Sequence, residues 1–168
     1  MSGRGPEIAG KKIEPLEIIL GAASLLFSSL PTLILTAIAI ALPVGLTGLN
    51  NTGPHGLTEI FYNYASICVN NGSPAAGLTA NTPFYNLTII VGMVLGRYST
   101  DVTALIIAGS LARKKMVPVT SGTLPVTSPV FIIMVIGTVV IISALTFFPA
   151  LMLGPILEHL FMQLGWTF

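Results

Sequence analysis

Charge is absent from three long stretches of this chain. Residues 18–58, 60–96 and 116–157 contain no Asp, Glu, Lys or Arg. Each stretch exceeds the roughly 20 residues that an α-helix needs to cross about 30 Å of hydrocarbon. Of 168 residues, 53% are hydrophobic and 8% are charged, whereas a soluble domain carries roughly 25% charged residues. Seven basic and six acidic side chains cannot coat a water-facing surface over so much apolar chain. A soluble globular domain and a disordered chain are therefore excluded. The lone Cys68 makes no disulfide framework, and a net charge of +1 argues against a nucleic-acid partner. The expectation is an all-α membrane protein whose main solvent is lipid.

The interruptions in these stretches carry the detail. A first transmembrane helix is expected over 18–44, with Pro31 inside it as a kink point. Ala37-Ile-Ala39 imitates a signal cleavage site, but the apolar run is too long for a signal core. Gly45, Gly48, Asn50, Asn51, Gly53, Pro54 and Gly56 mark a loop. Residues 57–68 (LTEIFYNYASIC) read as a helix about 18 Å long, too short to cross and suited to a re-entrant segment. A loop over 69–73 follows, then a turn-rich stretch to Pro83. A second span runs from Phe84 to about Leu111, with Arg97 and Asp101 one turn apart on one face. A third is expected over 129–153, with a short amphipathic tail in which Trp166 and Phe168 suit an interfacial anchor.

Six of the seven basic residues lie before residue 18 or in 113–128, and the basic side is usually cytoplasmic. The reading divides the chain into a cytoplasmic segment (1–17), a single pore unit (18–112), a cytoplasmic loop (113–128) and a last helix with its tail (129–168). The N-terminus lies inside and the C-terminus outside the cell membrane.

Span, short helix, polar loop and span is the arrangement of a pore unit. A cation crossing lipid must exchange its hydration shell for fixed oxygens. A loop supplies carbonyls at membrane depth only where it lines a wet path or is buried in protein. The C-terminal end of the short helix, at Ile67-Cys68, adds partial negative charge. Gly72 reaches backbone angles denied to other residues, and Asn70 and Asn71 are expected to brace the loop through their amides. The composition of Asn70-Asn-Gly-Ser-Pro74 fits a surface turn equally well.

Other residues have plainer readings. His55 is expected in an external loop and His159 at the interface. Cys68 reads as a packed, reduced thiol. Tyr62 and Tyr64 read as packing groups. Glu59 suits the positive end of the short helix. Gly92 and Gly96 form a Gly-x-x-x-Gly that permits close helix approach, here expected against a neighbouring pore unit.

Several motifs in order carry a resemblance. They are Gly48-Leu-Asn-Asn51, Gly53-Pro-His-Gly56, Asn70-Asn-Gly-Ser73, Ala80-Asn-Thr-Pro-Phe-Tyr85, Leu95-Gly-Arg97, Ile107-Ala-Gly-Ser-Leu-Ala112 with Lys114-Lys115, Gly122-Thr-Leu-Pro125 and Ala144-Leu-Thr-Phe-Phe-Pro-Ala150. With Gly3 to Glu14, nearly the whole chain resembles the C-terminal part of the potassium-binding subunit of the Kdp-type potassium-transporting ATPase. The resemblance implies four pore units around one selectivity filter in the family's protein, of which this chain matches the fourth plus the last helix. It implies that Val69, Asn70, Asn71 and Gly72 form one filter wall, with potassium, the transported ion, held by backbone at Asn70, Asn71 and Gly72. Arg97 would lie in the vestibule below. ATP hydrolysis in the family belongs to a separate P-type catalytic subunit. This chain has no phosphorylation-motif aspartate or nucleotide loop, so it is expected to bind no cofactor and to catalyse nothing itself. Implied partners are that catalytic subunit, the other Kdp subunits, the missing three pore units and membrane lipid.

Two departures stand out. Three pore units are missing, which raises three readings: a fragment or split half of a longer pore-forming chain, a homotetrameric cation channel, or a non-conducting structural remnant. And Tyr98-Ser-Thr-Asp-Val-Thr-Ala104 replaces a proline-containing apolar stretch that the resemblance implies after the arginine. Asp101 is thus unexpected. A bare carboxylate near the bilayer centre costs about 2.5–3.5 kcal/mol on insertion scales, so pairing with Arg97 is expected, and the pair would partly neutralise the vestibule.

Overall fold

The computed structural model describes residues 7–8, 10–73, 77–118 and 125–165. Trp166 and Phe168, the expected anchor, lie outside the described residues, as do residues 1–6 and most of Gly122-Thr-Leu-Pro125. The chain is an all-α membrane protein with one small strand pair. Its elements are β1 (Glu7–Ile8), β2 (Lys11–Lys12), α1 (Pro15–Ala41), α2 (Pro43–Leu46), α3 (Gly53–Cys68), α4 (Pro83–Arg113) and α5 (Pro129–Gln163). Two helices, α1 and α4, are long and apolar enough to cross a membrane; in α5 the corresponding described part is the shorter Pro129–Leu145.

Proline starts every helix. Each of the five has proline at its first or second position, where the missing N–H has no intrahelical partner to lose and φ is already helical. The same residue stops the preceding element. Leu42, before Pro43, is held extended at φ −101° and ψ 130° and ends α1. Pro54 starts α3 at Gly53 rather than at Leu57, giving 16 residues, or about 24 Å. α1 continues through Pro31 without a break. α5 runs as one helix of 35 residues to Gln163. The expected end near Leu153 and the separate tail are therefore corrected: residues 154–163 keep the helical ladder, with Gly154 seated on α3.

α1 and α4 pack side by side in opposite directions. The start of α1 meets the end of α4: Lys114 Nζ pairs with Glu17 at 2.8 Å and Glu14 at 3.3 Å. Lys11 Nζ donates to the Leu111 carbonyl at 2.7 Å, and Val117 N donates to Gly10 O at 2.7 Å. At the other end, the Tyr85 hydroxyl donates to Gly45 O at 2.7 Å, and Thr79 N donates to Gly48 O at 2.8 Å. α3 lies against both long helices, around a core of Leu35, Ala39, Ile60, Tyr64, Cys68, Leu78 and Tyr85. α5 packs on α3. There His55 Nε2 lies 3.1 Å from Glu158 Oε2.

Candidate functional site

The depth at which α3 stops follows from two glycines. A Cβ on Gly96 would overlap the Cys68 carbonyl oxygen, and one on Gly92 would lie 3.3 Å from Cys68 Sγ and 3.1 Å from Leu35 Cδ1. Only hydrogen fits at Gly96, and at Gly92 a larger group would press on the Leu35 and Cys68 side chains. Gly96 is near the middle of α4, and Leu35 lies well inside α1, so the α3 C-terminus ends partway along both long helices. The Gly-x-x-x-Gly face was expected to meet a neighbouring pore unit. Instead it receives α3 of the same chain, because a short helix wedged between two long ones needs a flat wall at its tip.

The chain then turns back. Val69 caps α3, Asn70 takes the left-handed φ of +59°, and Gly72 takes +76°. The backbone amides all fold toward the helix: Val69 N donates to Ala65 O (3.3 Å), Asn70 N to Ile67 O (2.9 Å), Asn71 N to Ser66 O (2.9 Å) and Gly72 N to Ser66 O (3.4 Å). Ser73 N donates to Ser66 Oγ at 2.9 Å, and the Tyr62 hydroxyl lies 3.3 Å from Ser73 Oγ. Among the described residues, the carbonyls of 69–72 accept no hydrogen bond. The donors of this loop are committed to the helix and its acceptors are not.

The bracing groups differ from those expected. Among the described residues the Asn70 and Asn71 side chains make no hydrogen bond. Ser66, Ser73 and Tyr62 hold the loop instead. Sequence reading missed Ser66 and Ser73, although both lie next to the Asn-Asn-Gly turn at the spacing of one helix-ending turn. Tyr62 is exposed and polar in role, not packed, whereas Tyr64 is fully buried with its hydroxyl 2.8 Å from Thr88 Oγ1. Cys68 is a buried free thiol, as expected.

Glu59 and His55 also depart from expectation. Because α3 starts at Gly53, Glu59 lies beyond the first turn, and no acidic residue is there. Glu59 is buried, and its Oε2 accepts from Asn51 N at 3.3 Å while Oε1 has no partner among the described residues. One turn on, Asn63 is fully buried with neither amide atom hydrogen-bonded among the described residues. His55 belongs to the first turn of α3 and faces Glu158 rather than lying in a loop. Pro54 carries the helix back past it. His159 Nε2 lies 2.9 Å from Gln163 Nε2 within α5.

Arg97 and Asp101 form the expected pair, with Nε to Oδ2 at 3.3 Å. Both line a cleft of about 320 Å³ together with Val69, Asn70, Ser24 and Thr100. The structure thus brings the loop together with Arg97 and Asp101 of α4. Asn71 and Gly72 stand outside that lining.

Comparison with known proteins agrees with this architecture. The family described as potassium-transporting ATPase A subunit matches residues 1–160. Potassium-transporting ATPase potassium-binding subunits of Mesorhizobium japonicum and Methylobacterium nodulans are each 51% identical over all 168 residues, which is 30% and 29% of those proteins. The counterpart from Methylibium petroleiphilum is 52% identical over 160 residues, 95% of this chain and 28% of its own length. The chain spans about 30% of the length of the relatives it matches. With the match covering residues 1–160 and half of all positions identical, the chain belongs to the potassium-transporting ATPase A subunit family.

Proposed function

We propose that this chain is a potassium-conducting part of an ATP-driven uptake complex, contributing one wall of a selectivity filter through the carbonyls of Val69, Asn70, Asn71 and Gly72. The observation that carries this reading is the loop whose amides are all used by α3 and whose oxygens are not. An apolar partner would leave those oxygens unsatisfied at a cost of several kcal/mol in hydrocarbon. A cation satisfies them, and the negative end of α3 lies directly before them in the chain. The relatives' name as potassium-binding subunits supports potassium as the ion.

In this reading residues 1–17 and 113–128 are cytoplasmic, 18–112 form the pore unit, 129–168 hold the last helix, which runs to Gln163, and the C-terminus is extracytoplasmic. The hydrogen-bonded junction of the N-terminal segment with the end of α4 supports a common side for the first two. Three further pore units complete the filter, and a separate P-type subunit supplies ATP hydrolysis. Arg97 sets the charge of the inner vestibule, and Asp101 offsets it.

The test is complementation. The chain is co-expressed with the remaining part of a relative's potassium-binding subunit, together with the other subunits of that complex, in cells unable to grow at low potassium. Growth is expected with the wild-type chain and is expected to fail with Gly72→Val. A Cβ at Gly72 meets nothing within 4 Å, but its φ of +76° is one that valine rarely adopts, so the substitution is expected to re-aim the loop carbonyls without a clash against the core. Growth supported equally by Gly72→Val would overturn the proposal.

A further inference from the structure

Several of the oxygens carried by residues that line the cleft beside the loop can only accept. Ser24 Oγ spends its one proton on Gly21 O at 2.8 Å, and Thr100 Oγ1 spends its own on Gly96 O at 3.2 Å. Each hydroxyl oxygen is then left with lone pairs alone. The Val69 and Asn70 carbonyls accept nothing among the described residues, and the Asp101 carboxylate is an acceptor by nature. The residues that carry these groups come from α1, the loop and α4, yet they line one cleft of about 320 Å³. The charged donor present is the Arg97 guanidinium, whose Nε is held by Asp101 at 3.3 Å.

We infer that this cleft is a second cation site, built by this chain alone, in which the Ser24 and Thr100 hydroxyls, the Val69 and Asn70 carbonyls and the Asp101 carboxylate take a monovalent cation, with Arg97 as a tethered competitor for Asp101. The inference deepens the function proposed above, since the ion received here is the one passed on by the loop. A single carboxylate among neutral oxygens matches one positive charge, whereas divalent sites gather more carboxylate ligands. The cleft is open, so the ion keeps part of its water. Arg97 and the ion exchange places: the guanidinium covers Asp101 when the ion leaves and yields it when the ion arrives. Asp101 is never left bare, which a carboxylate at membrane depth requires.

Equilibrium binding of radioactive rubidium to the purified chain in lipid nanodiscs tests this. The wild-type chain is expected to bind. Asp101→Asn is expected to weaken binding about tenfold and Arg97→Gln to tighten it about tenfold, the effect of one nearby charge under partial screening. Thr100→Val, with the same shape and no oxygen, is expected to weaken binding with the helix intact by circular dichroism. No binding by the wild-type chain, or the same change from Asp101→Asn and Arg97→Gln, overturns the inference. Neither result touches the filter-wall reading, which stands or falls on complementation with Gly72→Val.

Discussion

At Gly96 a single hydrogen atom decides whether α3 can reach its depth. A methyl group there would overlap the Cys68 carbonyl oxygen, a backbone atom held by a helix end. Overpacking of this kind costs about 1–3 kcal/mol. Gly96→Ala is therefore expected to lower the thermal midpoint in detergent, whereas Gly109→Ala, with nothing near its Cβ, is expected to leave it unchanged or raised. Asn63 presents the opposite case. Its buried amide has no partner among the described residues, and an unsatisfied buried polar group costs about 1–3 kcal/mol. Asn63→Leu is expected to raise the midpoint, measured the same way. The Arg97–Asp101 pair has side chains 65% and 55% exposed, and exposed pairs contribute at most about 1 kcal/mol. Asp101→Asn should barely move the midpoint, so any change in ion handling is not a folding effect. Arg97, Asp101, Asn70 and Gly72 were all visible as candidates in the sequence. Ser24, Thr100 and Ser66 were not, because a hydroxyl among apolar residues announces nothing until its proton is accounted for.

The elements were legible where hydropathy and helix length agree. The two long spans and the short helix between them follow from charge-free stretches and a length too small to cross. Their starts were legible in principle, since proline opens each helix, and Pro54 would have moved the start of α3 back from Leu57. What hydropathy could not supply was the junction of the N-terminal segment with α4. There Lys114 joins Glu14 and Glu17, and Ser110 donates to Glu17. Partial desolvation pulls the Lys114 ammonium down, but its bonds to Glu17 and Glu14 outweigh this and its pKa is raised. A raised lysine stabilises the folded state fully below its ordinary pKa, and that contribution fades as pH rises through the raised value. The junction is thus expected to hold at neutral pH and to loosen in strong alkali, or in acid strong enough to protonate Glu14 and Glu17. Lys114→Met should loosen it at neutral pH, read as faster proteolytic cleavage before Pro15.

The whole molecule leaves long apolar faces uncovered. Ile18, Ile19, Leu87, Leu105, Ile133, Val140 and Leu145 are all more than half exposed. Most of the described core lies where α1, α3 and α4 meet, while α5 touches the rest mainly through α3 at Gly154 and the His55–Glu158 pair. Lipid and further protein are the surroundings such faces require. The chain is expected to stay with the membrane pellet after an alkaline carbonate wash and to leave it only in detergent.

By itself the sequence determined the solvent, the number of long helices, the half-length helix and the polar turn after it. These depend on local quantities: charge spacing, hydropathy, proline position and run length. Only the tertiary structure decided that Gly92 and Gly96 seat the tip of α3 rather than another unit, and that the loop amides are consumed by Ser66 and its neighbours. It also decided that Ser24 of α1 and Thr100 of α4 share a cleft with Val69 and Asn70. Contacts between residues so far apart in the chain arise from the antiparallel packing of α1 and α4, and no periodicity along one segment encodes which residue of another will face it.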